Sequence, residues 1–375
     1  MIKLKIDNFG PIKHAELDFK KINILIGQQG AGKSCILKIA AFCMWVEKVC
    51  NTGRNITQKA YIKKRFLEYF KLEDYVVVAD SNYSEISYSG NRLKISFRFK
   101  KNEDNWVKID NSGKPSTFKR VAYIPAERCL VSTIPNLLDI RLQDTCTLQY
   151  LVDWEQAHKY YNIKHRLDIL DLNAEFYNDS QSNIDYLLID DNNGLPKQIK
   201  FSNAASGFQS IVPICVLTNY YLNNDDTTSV REKLSDEHKD QLSTQGDCVL
   251  FLEEPEANLF PETQNNLVRW LFSALNNGFD NSLFIATHSP YILSAFNNLI
   301  QASNSSNDTN IAEIQNIMQM KQFVKFEDIS VFEVADGTVK DIKNYEMRII
   351  DANAIDSVSD LINEQFSKLL QYEGD

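Results

Sequence analysis

Residues 21–34 read KINILIGQQGAGKS, and this stretch decides the fold of the chain. Strand-forming residues 21–26 lead directly into GQQGAGKS, which matches the pattern G-x-x-x-x-G-K-[ST]. The pattern requires a strand, a glycine-rich turn and then a helix, which we expect to open at Ser34. Glycines let such a turn fold tightly, so that its backbone N–H groups point at phosphate oxygens. The stretch therefore predicts a phosphate-binding loop.

The residue types in this loop suit a nucleoside triphosphate. Lys33 supplies a positive charge for the β and γ phosphates, Ser34 offers a hydroxyl to Mg²⁺, and the helix N-terminus adds a partial positive charge. A glycine-rich turn with an exposed lysine is the alternative, but the pattern arises by chance in about one or two chains per hundred of this length. We therefore expect ATP and Mg²⁺ as cofactors. The residues expected to contact ATP here are Gly27, Gln28, Gln29, Gly30, Ala31, Gly32, Lys33, Ser34 and Cys35.

The bulk composition is that of an ordinary globular protein. The 375 residues are 43% hydrophobic, enough for a substantial core. The longest apolar stretch near a helix, residues 211–222, is too short to span a bilayer, and the N-terminus lacks the apolar segment of a signal peptide. Seven scattered cysteines without a C-x-x-C pair indicate reduced thiols rather than a zinc site or disulfides. We expect a cytoplasmic protein without a membrane partner.

The net charge of −10 bears on nucleic acid. It argues against broad, non-specific coating of DNA, although a local basic patch could still serve. The basic, amphipathic helix predicted over residues 59–71 is such a patch, but a solvated charged face is its simpler interpretation.

The order of predicted elements indicates an α/β fold with inserted segments. Antiparallel strands open the chain, and strands alternate with helices after the loop. We expect a single head, 1–375, consisting of a nucleotide-binding core (1–135 and 200–298), a helical lobe (136–199), a polar insertion (223–247) and a C-terminal hairpin with helices packed on the core (311–375).

The segment CVLFLEEPEANLF, residues 248–260, is the second chemical motif. A buried strand that ends in two acidic residues delivers carboxylates to the edge of a parallel sheet where α/β folds bind ligands. We expect Glu253 to hold Mg²⁺ and Glu254 to act as general base on the attacking water. An acidic turn after a core strand is the alternative.

Two further motifs complete the set. SLFIATHSPYIL, residues 282–293, places His288 at the same sheet edge, where it would bond the γ-phosphate; a capping or surface histidine is the alternative. ASGFQ, residues 205–209, sits before an apolar helix, where Ser206 and the N–H of Gly207 would suit a γ-phosphate. Taken alone, that serine would be a helix cap.

The order of these motifs resembles the ABC-type ATPase heads. More closely it is similar to the SMC-like AAA ATPases of bacterial anti-phage systems, including the OLD (overcoming-lysogenization-defect) ATPase domains. Residues 1–26 and YIPAER, residues 123–128, are similar to further segments of that family. The resemblance implies an ABC-type P-loop NTPase head with an antiparallel β subdomain and a helical lobe. It also implies a homodimer, or a higher oligomer, with two ATP molecules sandwiched between protomers.

In such a sandwich the sites are shared. The loop 27–34 and Glu253/Glu254 of one chain would face Ser206, Gly207 and Gln209 of the other. The sequence also departs from the family pattern. Gln28-Gln29 stands where the family often has Pro-Asn, Glu253 replaces an aspartate, which predicts slow turnover, and no glutamine follows the strand 120–124. We expect Glu127 or Arg128 to replace that glutamine.

These observations favour one function and leave two alternatives open. The first is an ATPase that gates a separate effector protein, a nuclease or toxin, in anti-phage defence. The tail carries Asp351, Asp356 and Asp360, but we expect a docking hairpin and helices there rather than the acidic nuclease domain that the resemblance to OLD proteins would add. The alternatives are the nucleotide-binding subunit of a membrane transporter and a non-hydrolysing scaffold held together by ATP.

Overall fold

The computed structural model describes residues 2–51, 59–76, 83–91, 93–99, 107–110, 119–134, 143, 145–190, 196–223, 247–351 and 363–370. Its strands are β1 Ile2–Phe9, β2 Ile12–Phe19, β3 Ile22–Ile26, β4 Ser84–Ser89, β5 Lys94–Phe99, β6 Val107–Asp110, β7 Arg120–Ile124, β8 Leu167–Asp168, β9 Ala174–Asp179, β10 Ile184–Ile189, β11 Lys197–Lys200, β12 Cys248–Glu253, β13 Ser282–Thr287, β14 Ile329–Ala335, β15 Thr338–Asp341, β16 Lys343–Asn344 and β17 Ile349–Ile350. Its α-helices are α1 Lys33–Asn51, α2 Lys59–Lys64, α3 Leu130–Thr133, α4 Cys146–Ala157, α5 Ser206–Asn223, α6 Pro261–Leu275, α7 Pro290–Ser305, α8 Ile311–Ile317 and α9, residues 363–370.

Among the described residues, eleven strands form one mixed sheet in the order β6-β5-β4-β1-β2-β15-β14-β3-β13-β12-β7. Its second half, from β14 to β7, is parallel. Strands such as INILI and CVLFLE are buried along their whole length because helices and loops cover both faces of a parallel sheet. The α/β fold expected from the sequence is confirmed.

The register of the parallel strands brings the predicted motifs to one edge. Ile26 lies opposite Thr287, Ala286 lies opposite Glu253, and Leu252 lies opposite Ile124. The loops that follow neighbouring strands therefore begin side by side. The phosphate loop, the T-H-S-P turn and the two glutamates share this edge.

The antiparallel half of the sheet follows the sequence prediction. The C-terminal hairpin, which the sequence predicts to pack on the core, is instead part of the sheet. β14 pairs in parallel with β3, and β15 reaches β2 through Thr338 and His14. The hairpin is thus built into the sheet between the first strands and the phosphate-loop strand. β14 reads ISVFEVA and is buried on both faces through most of its length, as a central strand must be.

The prediction of a helical lobe over 136–199 is wrong for much of the segment. Among its described residues α4 is helical, but β8 to β11 form a separate antiparallel sheet in the order β11-β10-β9-β8. Asn173 and Asn183 adopt left-handed backbone conformations, with φ of 50° and 52°, in the turns that precede β9 and β10. Asparagine tolerates this conformation. The asparagines in this segment therefore indicate turns between strands rather than a helix.

The basic helix predicted over residues 59–71 is confirmed as amphipathic. α2 continues into a π-helical turn, Arg65–Tyr69. Ile62 and Phe66 are buried, and Phe66 stacks on Phe97 of β5 with ring centroids 4.8 Å apart, while Lys63 and Lys64 are exposed. The apolar face packs on the sheet, so the basic residues form a solvated face.

Several earlier expectations fall on residues outside the described part of the chain. These are most of the polar insertion 223–247, and Asp356 and Asp360 in the tail. Within the described residues, no helix is long and apolar enough to cross a membrane. The cysteines among them are free thiols, all buried except the partly exposed Cys129.

Gly27 joins β3 to the phosphate loop at a point where only glycine fits. Its φ is +152°, and an added Cβ would overlap the carbonyl oxygen of Val334 on β14. Gly30 has a φ of +74° but faces open space. The two glycines therefore differ in steric surroundings while both lie at positive φ.

We predict that Gly27→Ala lowers stability much more than Gly30→Ala. Backbone strain and overlap together should cost about 2–5 kcal/mol at Gly27, against about 1–2 kcal/mol for strain alone at Gly30. Urea unfolding of the nucleotide-free protein, followed by tryptophan fluorescence, measures both. Equal midpoints for the two variants would contradict the contact with Val334.

Candidate phosphate-binding and hydrolysis site

The phosphate loop connects β3 to α1 as the sequence predicts. Ala31 donates its N–H to the Gln28 carbonyl at 3.3 Å, and Ile36 donates to the Gly32 carbonyl at 3.0 Å. The first bond closes the turn and the second is the first helical bond. Gln28, Gln29 and Gly30 are exposed, Ala31 and Ser34 are half-buried, and Cys35 is buried against the core. Loop and helix start thus form an accessible surface at the sheet edge.

Lys33 lies at the centre of this surface and is only 4% exposed. Its Nζ donates to the carbonyls of Gly27 and Gln28, each at 2.8 Å, and lies 3.2 Å from Nδ1 of His288. Burial lowers the pKa of Lys33 to about 8, although Glu254 and Glu256 oppose this by favouring the charged form. The ammonium is therefore poorly solvated and would gain from an anionic ligand.

His288 joins Lys33 to Glu254. The His288 Nδ1 faces Lys33, and its Nε2 lies 3.5 Å from Oε1 of Glu254. A neutral ring that accepts from Lys33 at Nδ1 carries its proton on Nε2, toward the glutamate. The structure thus brings three predicted site residues, Lys33, Glu254 and His288, into one row, which we call the Lys33–His288–Glu254 row.

Glu256, the last acidic residue of E-E-P-E, holds the histidine turn in place. Its carboxylate accepts from the Thr287 hydroxyl at 2.8 Å and from the His288 N–H at 2.5 Å. Ser289 then caps α7 by accepting from the Tyr291 N–H, with Pro290 in the first turn. Sequence reasoning gave Glu256 no role. The signal that could have identified Glu256 was its position, two residues after a candidate base.

Glu254 itself sits in a strained backbone conformation with a φ of +43°. Its N–H donates to the Ala286 carbonyl of β13 at 2.7 Å, and its carbonyl accepts from the Ala257 N–H at 3.0 Å. The residue lies between the end of β12 and a turn over residues 255–258. The Glu254 side chain lies beside His288 and is partly exposed, whereas the Glu253 side chain is buried.

Glu253 is 5% exposed, and its carboxylate accepts a hydrogen bond from the Tyr123 hydroxyl on β7. Burial raises the pKa of Glu253, and Lys38 of α1 opposes the shift. Tyr123 is a second partner that sequence reasoning missed; its place at the end of the adjacent strand was the signal.

The donor set suits Mg²⁺. The Ser34 hydroxyl and the Glu253 carboxylate supply oxygen ligands, which Mg²⁺ prefers, and protein sites for Mg²⁺ in phosphate chemistry use one or two such groups. Among the described residues, no cluster of three or more acidic, histidine or cysteine side chains could hold a metal ion without further ligands. The site fits a metal that arrives with a phosphate.

The A-S-G-F-Q residues are not part of the Lys33–His288–Glu254 row. Ser206 is exposed at the start of α5, Gly207 packs near the Asn258 carbonyl, and Gln209 donates to the Ser202 carbonyl at 3.0 Å. Within the described part of the chain, no hydrogen bond joins these three residues to the loop 27–34. Ser206 is exposed and Gly207 and Gln209 are half-buried, so these residues are accessible to a ligand held elsewhere.

Arg128 does not replace the missing glutamine. It is completely buried, and its guanidinium donates to the carbonyls of Ser210, Glu253 and Glu254. Each of its three nitrogens donates to a backbone oxygen, and the side chain is fully buried, so it cannot reach a nucleotide. Glu127 is exposed in the same short 3₁₀ turn and remains the candidate for that role.

We predict that ATP binding at this loop takes up a proton through Lys33. A polyphosphate stabilises the ammonium, so the pKa of about 8 in the free protein rises on binding toward or above its usual 10.5. The uptake at Lys33 should approach one proton at pH 9 and fall to about 0.1 proton at pH 7, where most of the side chain is already charged.

Titration calorimetry in buffers of different ionisation enthalpy measures this uptake. Lys33→Arg should remove it because a guanidinium stays charged, whereas Lys197→Arg, at an exposed site on β11, should retain it. An uptake that does not change between pH 7 and pH 9 would show that the free Lys33 is already fully protonated.

Comparison with known sequences relates one segment of the chain to a family. Residues 197–293, from β11 to the start of α7, match the model of the AAA ATPase domain. No protein of curated function matches the sequence. The matched segment contains Ser206, both glutamates and His288, and the match supports an ATP-binding ATPase.

Solved structures with a general likeness include ATPase heads. The SMC head domain from Thermotoga maritima is 11% identical, with a TM-score of 0.42 over 91% of this chain and 97% of that chain. The ATP complex of the recombination mediator RecF is 13% identical, with a TM-score of 0.41 over 90% and 96%. An Smc head domain from Pyrococcus furiosus, bound to the C-terminal domain of ScpA, is 10% identical, with a TM-score of 0.41 over 91% and 96%. Likenesses of this size do not show what this chain binds or hydrolyses.

Proposed function

We propose that this protein is an ATPase that binds Mg·ATP at residues 27–35 and closes into a dimer, or a larger assembly, around it. The observation that carries the proposal is the Lys33–His288–Glu254 row. The row consists of a buried lysine, a histidine and a partly exposed glutamate, and it lies beside the predicted phosphate loop. A static structural turn has no need of a partly desolvated lysine beside a candidate base.

The proposed chemistry assigns a task to each residue. Lys33 exchanges its two loop carbonyls for phosphate oxygens, which compensate its charge better than neutral dipoles do. Glu254 accepts the proton of the attacking water. His288, whose Nε2 lies beside Glu254 in the free protein, would redirect its Nε2–H to the charge that develops on the γ-phosphate. Bound Mg²⁺, held by Ser34 and Glu253, would neutralise phosphate charge.

The second half of each site would come from the partner protomer. Ser206, Gly207 and Gln209 are exposed or half-buried at the helix start, and among the described residues no hydrogen bond links them to their own phosphate loop. The motif resemblance to ABC-type heads places these residues against the partner's γ-phosphate. ATP then stabilises the closed form, and hydrolysis releases it.

The effect of this cycle would be delivered by another protein. The resemblance to SMC-like AAA ATPases of anti-phage systems supports a role in bacterial defence, with a separate nuclease or toxin as effector. The described residues contain no additional cluster of metal-binding side chains that would serve a nuclease on this chain.

We predict that Glu254→Gln binds ATP but barely hydrolyses it. Removing a general base should slow phosphate release about 10²–10⁴-fold, and the variant should stay in the larger, ATP-bound species. Light scattering with and without Mg·ATP, together with a phosphate-release assay, checks both effects. Glu262→Gln, at an exposed position in the first turn of α6, is the matched control and should behave as wild type.

Two outcomes would count against the proposal. If neither wild type nor Glu254→Gln changes mass with Mg·ATP, the closing dimer is wrong. If wild type assembles with ATP but releases no phosphate, the protein is the non-hydrolysing scaffold instead.

We further predict that two inactive variants complement each other. Lys33→Ala cannot bind ATP, and Ser206→Arg cannot support the partner's nucleotide, so each should be inactive alone. In an equal mixture, half of the dimers are mixed and each retains one intact site, which should restore about a quarter of the wild-type rate. Phosphate release from the mixture measures this, and a mixture as inactive as its components would exclude sites shared between protomers.

A further inference from the structure

Arg128 is a buried cation, and each of the three nitrogens of its guanidinium donates to a backbone carbonyl. Its Nε donates to the Ser210 carbonyl at 2.9 Å, Nη1 to the Glu253 carbonyl at 2.9 Å, and Nη2 to the Glu254 carbonyl at 2.7 Å. The side chain is fully buried, and burying a charge is costly unless its geometry is well satisfied. A rigid fork of donors can hold three oxygens in fixed relation, which neither lysine nor an apolar side chain can do.

The three carbonyls belong to two different parts of the molecule. Glu253 and Glu254 end β12, whereas Ser210 lies in the first turns of α5, four residues after Ser206. A second bond joins the same parts, since Asn258 donates to the Ser210 hydroxyl at 2.9 Å. Gly207 also lies close to the Asn258 carbonyl, where an added Cβ would approach within 3.3 Å. The turn after Glu254 and the start of α5 therefore form one braced unit.

The brace acts on the strained residue of the site. Glu254 keeps a φ of +43°, and its carbonyl is one of the three oxygens that Arg128 holds. Strained backbone persists where surrounding contacts over-determine it. Here those contacts are the Ala286 carbonyl on one side of the residue and the Arg128 guanidinium on the other.

We propose that Arg128 is a positioning residue that couples the two ATP sites of the closed dimer. The inference rests on the proposed function, in which Glu254 serves the nucleotide of its own protomer and Ser206 serves that of the partner. The Arg128 guanidinium then sets the positions of both Glu254 and the start of α5. Contact of Ser206 with the partner's nucleotide therefore affects the position of Glu254 in the same protomer as that Ser206. Arg128 contacts neither nucleotide and acts through the backbone.

The first test uses the nucleotide-free protein and does not depend on ATP. Arg128→Lys keeps a positive charge but cannot bond three separated carbonyls. Hydrogen exchange should then become at least about tenfold faster at the amides of residues 206–211 and 254–259 together. Arg269→Lys is the matched control, because Arg269 also donates to a carbonyl, that of Ile317, but lies on α6 away from the site. Faster exchange in only one of the two segments, or in neither, would overturn the brace.

A milder variant covers the case in which Arg128→Lys fails to fold. The Tyr150 hydroxyl donates to the Arg128 carbonyl at 2.6 Å, so Tyr150→Phe loosens the arginine and leaves its guanidinium in place. The same two segments should exchange faster, by less than in Arg128→Lys. A change confined to α4, which carries Tyr150, would overturn the brace as well.

The second test uses the mixed dimers of Lys33→Ala and Ser206→Arg. Arg128→Lys is added to the Lys33→Ala chain, which supplies Ser206 but no base to the one intact site. Coupling predicts that phosphate release falls at least about tenfold, with the KM for ATP changed less than about twofold. An unchanged rate would overturn the coupling. If the parent mixture is itself inactive, the proposed function fails and the coupling of ATP sites fails with it, while the exchange result still reports on the brace.

Discussion

The pairing of parallel strands is the constraint on which the rest of the structure depends. Parallel strands end at the same sheet edge, and the register here aligns Ile26 with Thr287 and Ala286 with Glu253. The residues that follow these positions belong to three motifs that are separate in the sequence. The strand register alone brings them together at the edge of the sheet. A shift of one residue in either pairing would move each side chain of the strand to the opposite face of the sheet, against different packing partners, and would separate Lys33 from His288. The core that holds the sheet therefore also holds the site.

Burial controls the charges at this edge. Lys33 and Glu253 are both nearly inaccessible to solvent. Burial favours the neutral form of each group, so it lowers the pKa of the lysine and raises the pKa of the glutamate. Each is satisfied in the free protein by a replaceable partner, two loop carbonyls for the lysine and a tyrosine hydroxyl for the glutamate. A ligand that brings phosphate charge and a cation would strengthen both charged forms. The site is therefore most favourable for a ligand that carries both.

The sequence predicted those parts of the molecule that depend on short-range patterns. The phosphate loop, the strand that ends in Glu253 and the T-H-S-P turn each contain their own local signal, and each lies on the predicted element. Composition failed for residues 167–200, because leucine and tyrosine occur in strands as well as in helices, and the asparagines here provide turns between strands. Position in the sheet was also hidden. Nothing local distinguishes a hairpin that docks on a sheet from β14 and β15, which lie inside it.

Partners at long range were equally invisible to the sequence, and they decide how the site works. Arg128 stands 82 residues before Ser210 and 126 before Glu254, and the sequence suggested it as a replacement for the missing glutamine, a role that its burial excludes. The two sides of Glu254 now have separate tasks. Its carboxylate lies beside His288 and solvent, whereas its carbonyl is bound to the guanidinium that also holds α5. A residue arranged in this way can respond to the nucleotide through its side chain and to the start of α5 through its backbone. Because α5 begins with Ser206, any ligand that moves this exposed serine also bears on the strained backbone of the candidate base.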